Sequence, residues 1–376
     1  MTTSNTAEEF SGNLTSLQDI PDETDFTNQS MVNFQTFLFN TAEEKERLSN
    51  AIDFWDSIPR YSVTRRQQNL LRDKKTGTLP KYVLRFCFKG ETFKVEISPA
   101  KIDVSRGTDE DIPDNEVYDT LDYYPSNREE LVEEALRKIA CRRSNGFMKK
   151  KPVETCGVVF SLYELLEELS NSGHEFSYRQ ITESLNILNS AHIKISSEGN
   201  AKITKGMISS TYLPTLAAVS RSDYLADTSS KWLVCFHPFV TEGIAMLAYR
   251  QFNYKLTMEL STQLSRWLHR YLCIKFTNAS MVSPPFEIYY KTIKRDSGLL
   301  TRKTERHNFI YVEQTLDELK QKGVLYSWSK KDILGQRNKK LDSVYFLQPS
   351  LQFVRETKAS NKRKKDAIDK SLVARK

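Results

Sequence analysis

The sequence predicts an α+β fold in which one order of elements, helix, helix and β-hairpin, is used twice in succession. Three observations carry that expectation. Ser161-Leu-Tyr-Glu164 and Ser177-Tyr-Arg-Gln180 have the S-x-x-E/Q form of a capping box, each just ahead of an apolar helical stripe. Segments of β-type alternation follow the second helix, at His192-Ile-Lys-Ile195 and from Ala201 to Leu213, before Pro214 stops them. The order then starts again near Ser261 and closes in two β-rich runs, Val324 to Trp328 and Ser343 to Leu347. Two helices followed by a two-stranded wing is the order of a winged helix. The chain therefore reads as two tandem winged helices with an N-terminal α/β extension and disordered tails.

Residues 1–30 hold six acidic residues and no basic one, the composition of a flexible leader, either an inert solubilising tail or a competitor for a basic face. Residues 31–150 form an N-terminal module. Met31 to Arg60 has helix-compatible apolar spacing that Pro59 closes. Tyr82, Leu84, Phe86 and Phe88, then Phe93, Val95 and Ile97, alternate on either side of Lys89-Gly90 as a β-hairpin with one apolar face. Arg65, Arg66, Arg72, Lys74 and Lys75 precede it, as a solvated loop or as phosphate contacts. An acidic connector from Thr108 to Asp122 leads to Ser126-Asn-Arg-Glu129, a capping box for a helix with Leu131, Val132, Ala135, Leu136, Ile139 and Ala140 on its stripe. Lys149-Lys-Lys-Pro152 marks the module boundary.

Residues 151–255 give the first winged helix and a linker. Leu162, Leu165, Leu166 and Leu169 line its first helix, and Ile181, Leu185 and Leu188 the second, with Glu198-Gly199-Asn200 turning the wing. Trp232 to Phe236 reads as a buried strand and Val240 to Tyr249 as a short helix. Residues 256–354 give the second winged helix: Leu260, Leu264, Leu268, Tyr271 and Leu272 mark its first helix, Phe286 to Asp296 a short second one, and Phe309, Val312, Leu316 and Leu319 the recognition helix that Gly323 ends. Residues 355–376 hold nine basic and three acidic residues and read as a disordered basic tail that adds non-specific phosphate affinity or serves as an import signal.

The net charge of +7 and pI near 8.9 favour polyanionic partners. From Lys291 to Lys340 there are 13 Lys or Arg against 6 Asp or Glu, an excess of 13 − 6 = +7, so positive charge gathers where the last helix and its wing meet. Double-stranded DNA is the expected partner. In the second winged helix the candidate contacts are Arg302, Lys303, Arg306, His307, Tyr311 and Gln314 on the helix, with Lys330, Lys331, Arg337, Lys339 and Lys340 on the wing. In the first they are Tyr178, Arg179, Thr182 and Asn186 on the helix, with Lys194, Lys202 and Lys205 on the wing. The helix there is nearly neutral, so a scaffolding or dimerising winged helix stands beside the DNA-contacting one.

Other classes find little support. The sequence has no G-x-x-x-x-G-K loop, no G-x-G-x-x-G and no H-E-x-x-H, and neither the five cysteines nor the five histidines have zinc-like spacing. No catalytic residue, metal or cofactor is expected. The odd number of scattered cysteines, the polar and acidic N-terminus and the lack of a long apolar run point to reduced thiols in a soluble protein of the cytoplasm, with no membrane partner.

Trp232-Leu-Val-Cys-Phe-His-Pro238, Leu260-Ser-Thr-Gln-Leu-Ser-Arg-Trp-Leu-His-Arg-Tyr271 and Val312-Glu-Gln-Thr-Leu-Asp-Glu-Leu-Lys-Gln-Lys-Gly323 echo a strand, a long helix and a recognition helix of one known group. On these segments Val158 to Leu351 resembles the tandem winged-helix replication initiators (Rep proteins) of bacterial plasmids and secondary chromosomes. The helix from Ser126 to Ile139 resembles a segment ahead of the winged helices in some of them. The resemblance implies binding to repeated origin sites (iterons), recruitment of the host initiator and helicase, repression of the protein's own promoter, and a chain that is a monomer or a homodimer. A winged-helix transcription regulator without a replication role shares every fold-level feature and is the alternative.

Overall fold

The computed structural model describes residues 29–39, 41–103, 120–149, 153–198, 206–218, 231–336 and 340–373. The acidic leader up to residue 28, most of the acidic connector, Lys202 and Lys205 in the first wing, and Arg337 and Lys339 in the second lie outside them.

Polar caps set most helix starts. Helix α1 (Gln29–Phe37) precedes α2 (Ala42–Arg47), where Thr41 and Glu44 bond each other's backbone N–H reciprocally. That cap restarts the chain, so the helix-compatible stretch up to Arg60 is two helices and then strand β1 (Leu48–Ile52). Helix α3 (Arg65–Leu71), capped by Thr64, takes Arg65 and Arg66 out of the expected loop, while Arg72 ends the helix and Lys74 and Lys75 lie in the turn that follows. The hairpin β2 (Tyr82–Phe88) and β3 (Glu91–Ser98) turns at Lys89-Gly90, both at positive φ. Strands β4 (Ala100–Asp103) and β5 (Thr120–Tyr123) pair, and α4 (Asn127–Ala140) starts where the Glu129 carboxylate accepts from the Ser126 N–H at 2.8 Å.

The first winged helix runs through β6 (Gly146–Lys149), β7 (Thr155–Ser161), α5 (Leu162–Asn171), α6 (Tyr178–Ser190), β8 (His192–Glu198), β9 (Met207–Thr211), β10 (Thr215–Ala217) and β11 (Lys231–Cys235). Helix α7 (Pro238–Ala245), β12 (Tyr249–Asn253) and α8 (Tyr254–Met258) follow. Its wing is not a free hairpin. Strand β3 pairs with β8 in a four-stranded sheet of order β2-β3-β8-β9. The apolar side of the N-terminal hairpin needs cover, and Phe93, Val95 and Ile97 bury with Ile193 and Ile195 in one core. Residues 31–150 and 151–255 thus share a single core, and β1 pairs β12 across the same boundary.

The second winged helix has its own core. It contains α9 (Gln263–Lys275), β13 (Phe286–Tyr289), α10 (Tyr290–Ser297), α11 (Glu305–Gln321), β14 (Leu325–Leu334) and β15 (Lys340–Pro349), the strands in order β13-β15-β14. The segment read as one helix from Phe286 to Asp296 begins as β13, because β15 offers it an edge from Val344 to Leu347. Gly323, at φ 73°, gives the left-handed cap, with Val324 N–H donating to Leu319 O at 2.9 Å.

The basic stretch after Arg355, expected to be disordered, lies in a helix, α12 (Leu351–Val373). Phe353 and Val354 enter the second core and Ala367 the first. Arg363 binds Glu44 and donates to the carbonyls of Thr36 and Leu38, while Lys364 lies 3.5 Å from Asp53. Two of the lysine-rich run's cations therefore bind protein groups, and the helix straps the two modules together.

Between the cores lies a buried chain of charges. Arg137 reaches Asp56 at 2.6 Å and Glu134 at 2.5 Å; Arg60 reaches Asp56 at 2.9 Å and Glu133 at 3.1 Å. From the second module Arg270 reaches Glu134 at 2.8 Å and also Glu130, and Arg266 reaches Glu130 at 3.3 Å. All eight side chains are almost fully buried. Helix α4, expected to carry one apolar stripe, is buried on every side from Glu129 to Ala140.

Candidate nucleic-acid interface

Helix α11 turns Val312, Leu316 and Leu319 into the second core, which leaves Arg306, His307, Ile310, Gln314 and Asp317 exposed on the outer side. Arg302 and Lys303 are exposed just ahead of it. The buried Asn308 side chain fixes that approach by accepting from Arg302 N–H and donating to Arg302 O, both at 3.1 Å. The Arg302 guanidinium sits 4.6 Å from the centre of the half-buried Tyr311 ring. Arg306, His307 and Gln314 are therefore on the exposed side of α11, Arg302 and Lys303 are exposed just ahead of it, and Tyr311 is half-buried against Arg302.

The wing runs alongside that face. Trp328 donates its indole N–H to Asp317 at 2.9 Å, Lys330 Nζ lies 2.7 Å from Glu313, and Lys340 Nζ lies 3.8 Å from the centre of the Phe309 ring. Phe309 in turn stacks on Tyr290 at 3.8 Å, and Tyr290 and Lys294 both bind Glu305 in the first turn of α11. Phe309 is only half buried for this reason: it forms the seam between helix and wing. Lys331 is exposed on the outer strand, and Lys340 is half-buried and also pairs with Asp332 at 2.8 Å. The Glu313 carboxylate raises the pKa of Lys330, and hydrogen bonds from Lys340 and Ser343 hold Asp332 below its ordinary value.

The first winged helix is different. Tyr178 is half-buried, and Thr182 spends its hydroxyl hydrogen on Tyr178 O at 3.0 Å. Arg179 and Asn186 are exposed. Glu183 binds Arg128 at 2.7 Å, and the neighbouring Ser184 is buried between Arg128 and Glu129. Helix α6 also packs against β4, so N-terminal residues cover part of it. Lys194 is half-buried opposite Glu96 in the paired strands. In the same sheet Arg85 pairs with Glu198 at 2.9 Å and Lys94 with Glu96 at 2.7 Å.

Sequence reasoning missed the acidic residues of the site. Glu313 and Asp332 each hold a cation assigned to phosphate, and Glu305 ties α10 to α11. The i, i+4 arginines Arg266 and Arg270 among the leucines of α9, matched by the i, i+4 Glu130 and Glu134 on α4, were the signal for the buried chain of charges. Among the described residues no group of His, Cys, Asp and Glu is placed to hold a metal ion, and no helix is long and apolar enough to cross a membrane.

No protein-family model matches the sequence, and no curated protein matches it significantly. Solved structures do. The chain is similar to a selenomethionine derivative of domains 2 and 3 of RctB, with TM-score 0.44 and 10% identity over 76% of this chain and 99% of that one. It is similar to a second structure of RctB domains 2-3, with TM-score 0.44 and 9% identity over 78% of this chain and 100% of the other. It is also similar to the Pi initiator protein in complex with iteron DNA, with TM-score 0.38 and 13% identity over 59% of this chain and 90% of that chain.

Proposed function

We propose that the chain binds double-stranded DNA in a sequence-specific manner and initiates replication of a plasmid or secondary replicon at repeated origin sites. One observation carries this reading: the outer face of α11, with Arg302, Lys303, Arg306, His307 and Gln314, is exposed and flanked along its length by a cationic wing. Cations along that face draw the phosphates, and Gln314 and His307 reach base edges. The first winged helix supplies a second contact through Arg179 and Asn186. Two unlike heads in one polypeptide suit direct repeats, which a single chain then spans. Repression of its own promoter and recruitment of the host initiator and helicase belong to the same proposal.

Footprinting the full chain on the DNA flanking its gene tests the binding, with protected direct repeats expected and uniform or absent protection counting against it. A circular DNA whose only origin is that flank, supplied with the gene, tests the initiator role. Its maintenance is expected. Binding without maintenance would favour a transcription regulator.

A further inference from the structure

Helix α3 belongs to the N-terminal module, yet it is tied on one side to the second helix of the first winged helix and on the other to the approach to α11. Arg65 Nη2 lies 3.6 Å from Glu183 of α6 and 3.1 Å from Glu129 of α4. Glu183 falls on the same side of α6 as Arg179 and Asn186, four residues after the first and three before the second. Across α3, Gln67 donates to the Thr301 hydroxyl, one residue ahead of Arg302. That second attachment is close packed. Gln263 Nε2 of α9 donates to Tyr61 O at 2.6 Å, and a Cβ on Gly298 would stand 2.8 Å from Ser62 Cβ, so the loop after α10 runs against the segment that leads into α3. At about 100° of rotation per residue, the arc between Arg65 and Gln67 carries Arg66, Asn69 and Leu70. All three are exposed, while Gln68 on the opposite arc is fully buried and donates to Tyr124 O at 2.9 Å.

We propose that Arg66, with Asn69 beside it, is a third contact to the duplex, made to the phosphate backbone between the two heads. The inference rests on the DNA-binding reading. Two heads on one side of a duplex enter successive major grooves about 34 Å apart, and between them the minor groove and its phosphate strands face the protein. Helix α3 stands in that interval, because its two flanks are held to the two heads. Arginine and asparagine are among the side chains that meet phosphate oxygens. Asn69 accepts from Arg72 at 2.7 Å through its side-chain oxygen, so its amide hydrogens are what it offers an anion. Arg65 is not part of the contact, since it is half-buried and engaged by two carboxylates. A phosphate bound at Arg66 then holds both heads in register on one duplex.

The experiment uses the full chain and a duplex enriched by it from a random pool, with its phosphates ethylated one at a time. Ethylation is expected to block binding of the native chain in two clusters, one under each head, and at phosphates between them. Arg66→Ala, an exposed change expected to leave circular dichroism and Tm as they are, should lose the block between the clusters and keep both clusters. It should bind several-fold more weakly and flatten log K against log salt by about 0.9 of a unit. Arg66→Lys is expected to restore the slope, since a phosphate contact needs the charge. The contact is overturned if Arg66→Ala keeps the central block and the native slope, if it weakens every cluster alike, if the lysine fails to restore the slope, or if the native chain shows no block between its clusters. Failure to enrich any duplex at all refutes the DNA-binding reading itself, a separate result.

Discussion

Lys330 on the wing and Glu313 on α11 lie 2.7 Å apart, so the cation proposed to meet phosphate is already paired within its own protein. The pair also joins wing to helix. Under the proposed function a phosphate at Lys330 has to compete with Glu313, and the carboxylate adds repulsion there. Glu313→Gln is therefore expected to raise affinity for duplex several-fold and to steepen log K against log salt by about one unit. Binding isotherms between low and moderate salt check this. Weaker binding by the variant would mean that the pair's role is to hold the wing in position.

Arg302, Lys303 and Arg306 lie exposed on the approach to α11 and its first turn, with Arg302 steadied by Tyr311. Phosphate contacts contribute to affinity through released counterions, each worth about 0.9 of a unit of slope on duplex. Replacing all three by Ala is expected to flatten the salt dependence by up to about three units and to weaken binding alike on specific and random duplex. The measurement is the slope itself. An unchanged slope removes these side chains from the interface.

His307 and Gln314 sit further round the same exposed face, and neither is needed to hold the helix in place. Gln314→Ala and His307→Ala are expected to alter which sequence is preferred, with about 1–3 kcal/mol of discrimination lost at the base each one reads and little change on random duplex. Selection from a random pool with each variant reads this out. An identical selected sequence would place base readout elsewhere.

The local signals in the sequence were dependable and the long-range ones were not. The caps at Ser161, Ser177 and Gly323 and the stripe Val312, Leu316 and Leu319 depend on neighbours a few residues away, and all stand where the spacing puts them. Strand β13 is completed by β15, which lies far along the chain, and the alternation Phe286-Glu-Ile-Tyr289 is too short by itself to separate a strand from the start of the helix that follows. Helix α12 was hidden by composition. Its anchors Phe353, Val354 and Ala367 are too few and too widely spaced to show as a stripe, and its cation Arg363 is satisfied by carbonyls and a glutamate from the other end of the chain. In the site, the cations were legible as charge and the acidic partners were not, because alternating signs on a helix look like a solvated surface until the wing is folded beside it.

The buried charges between the two modules yield the last prediction. Arg270 from α9 answers both Glu130 and Glu134 of α4, so truncating it leaves Glu130 to Arg266 alone and Glu134 to Arg137 alone in the interior. Arg270→Met is expected to destabilise the protein by about 3–5 kcal/mol, read as a lowered Tm. The acid dependence has a definite sign. Burial works to raise Glu130 and Glu133, but Arg266 and Arg270 around the first and Arg60 and Arg137 around the second outweigh it and hold both below 4.5. Burial is likewise overcome by Arg137 and Arg60 at Asp56, which falls well below 3.8. Such depressed groups stabilise the fold above their unfolded values, and that stability is lost as pH falls from about 4.5 downward through the folded values. Glu134 runs the other way, raised by burial, so acid relieves it. With three depressed carboxylates against one raised, the native chain should lose Tm on acidification below pH about 4.5. In Arg270→Met, Glu130 keeps only Arg266 and is held down less, so protonation costs the fold less and Tm should fall less steeply over the same range. Thermal melts of both chains from neutral pH into acid check the two slopes, and parallel curves would show that Arg270 does not set the charge state of α4.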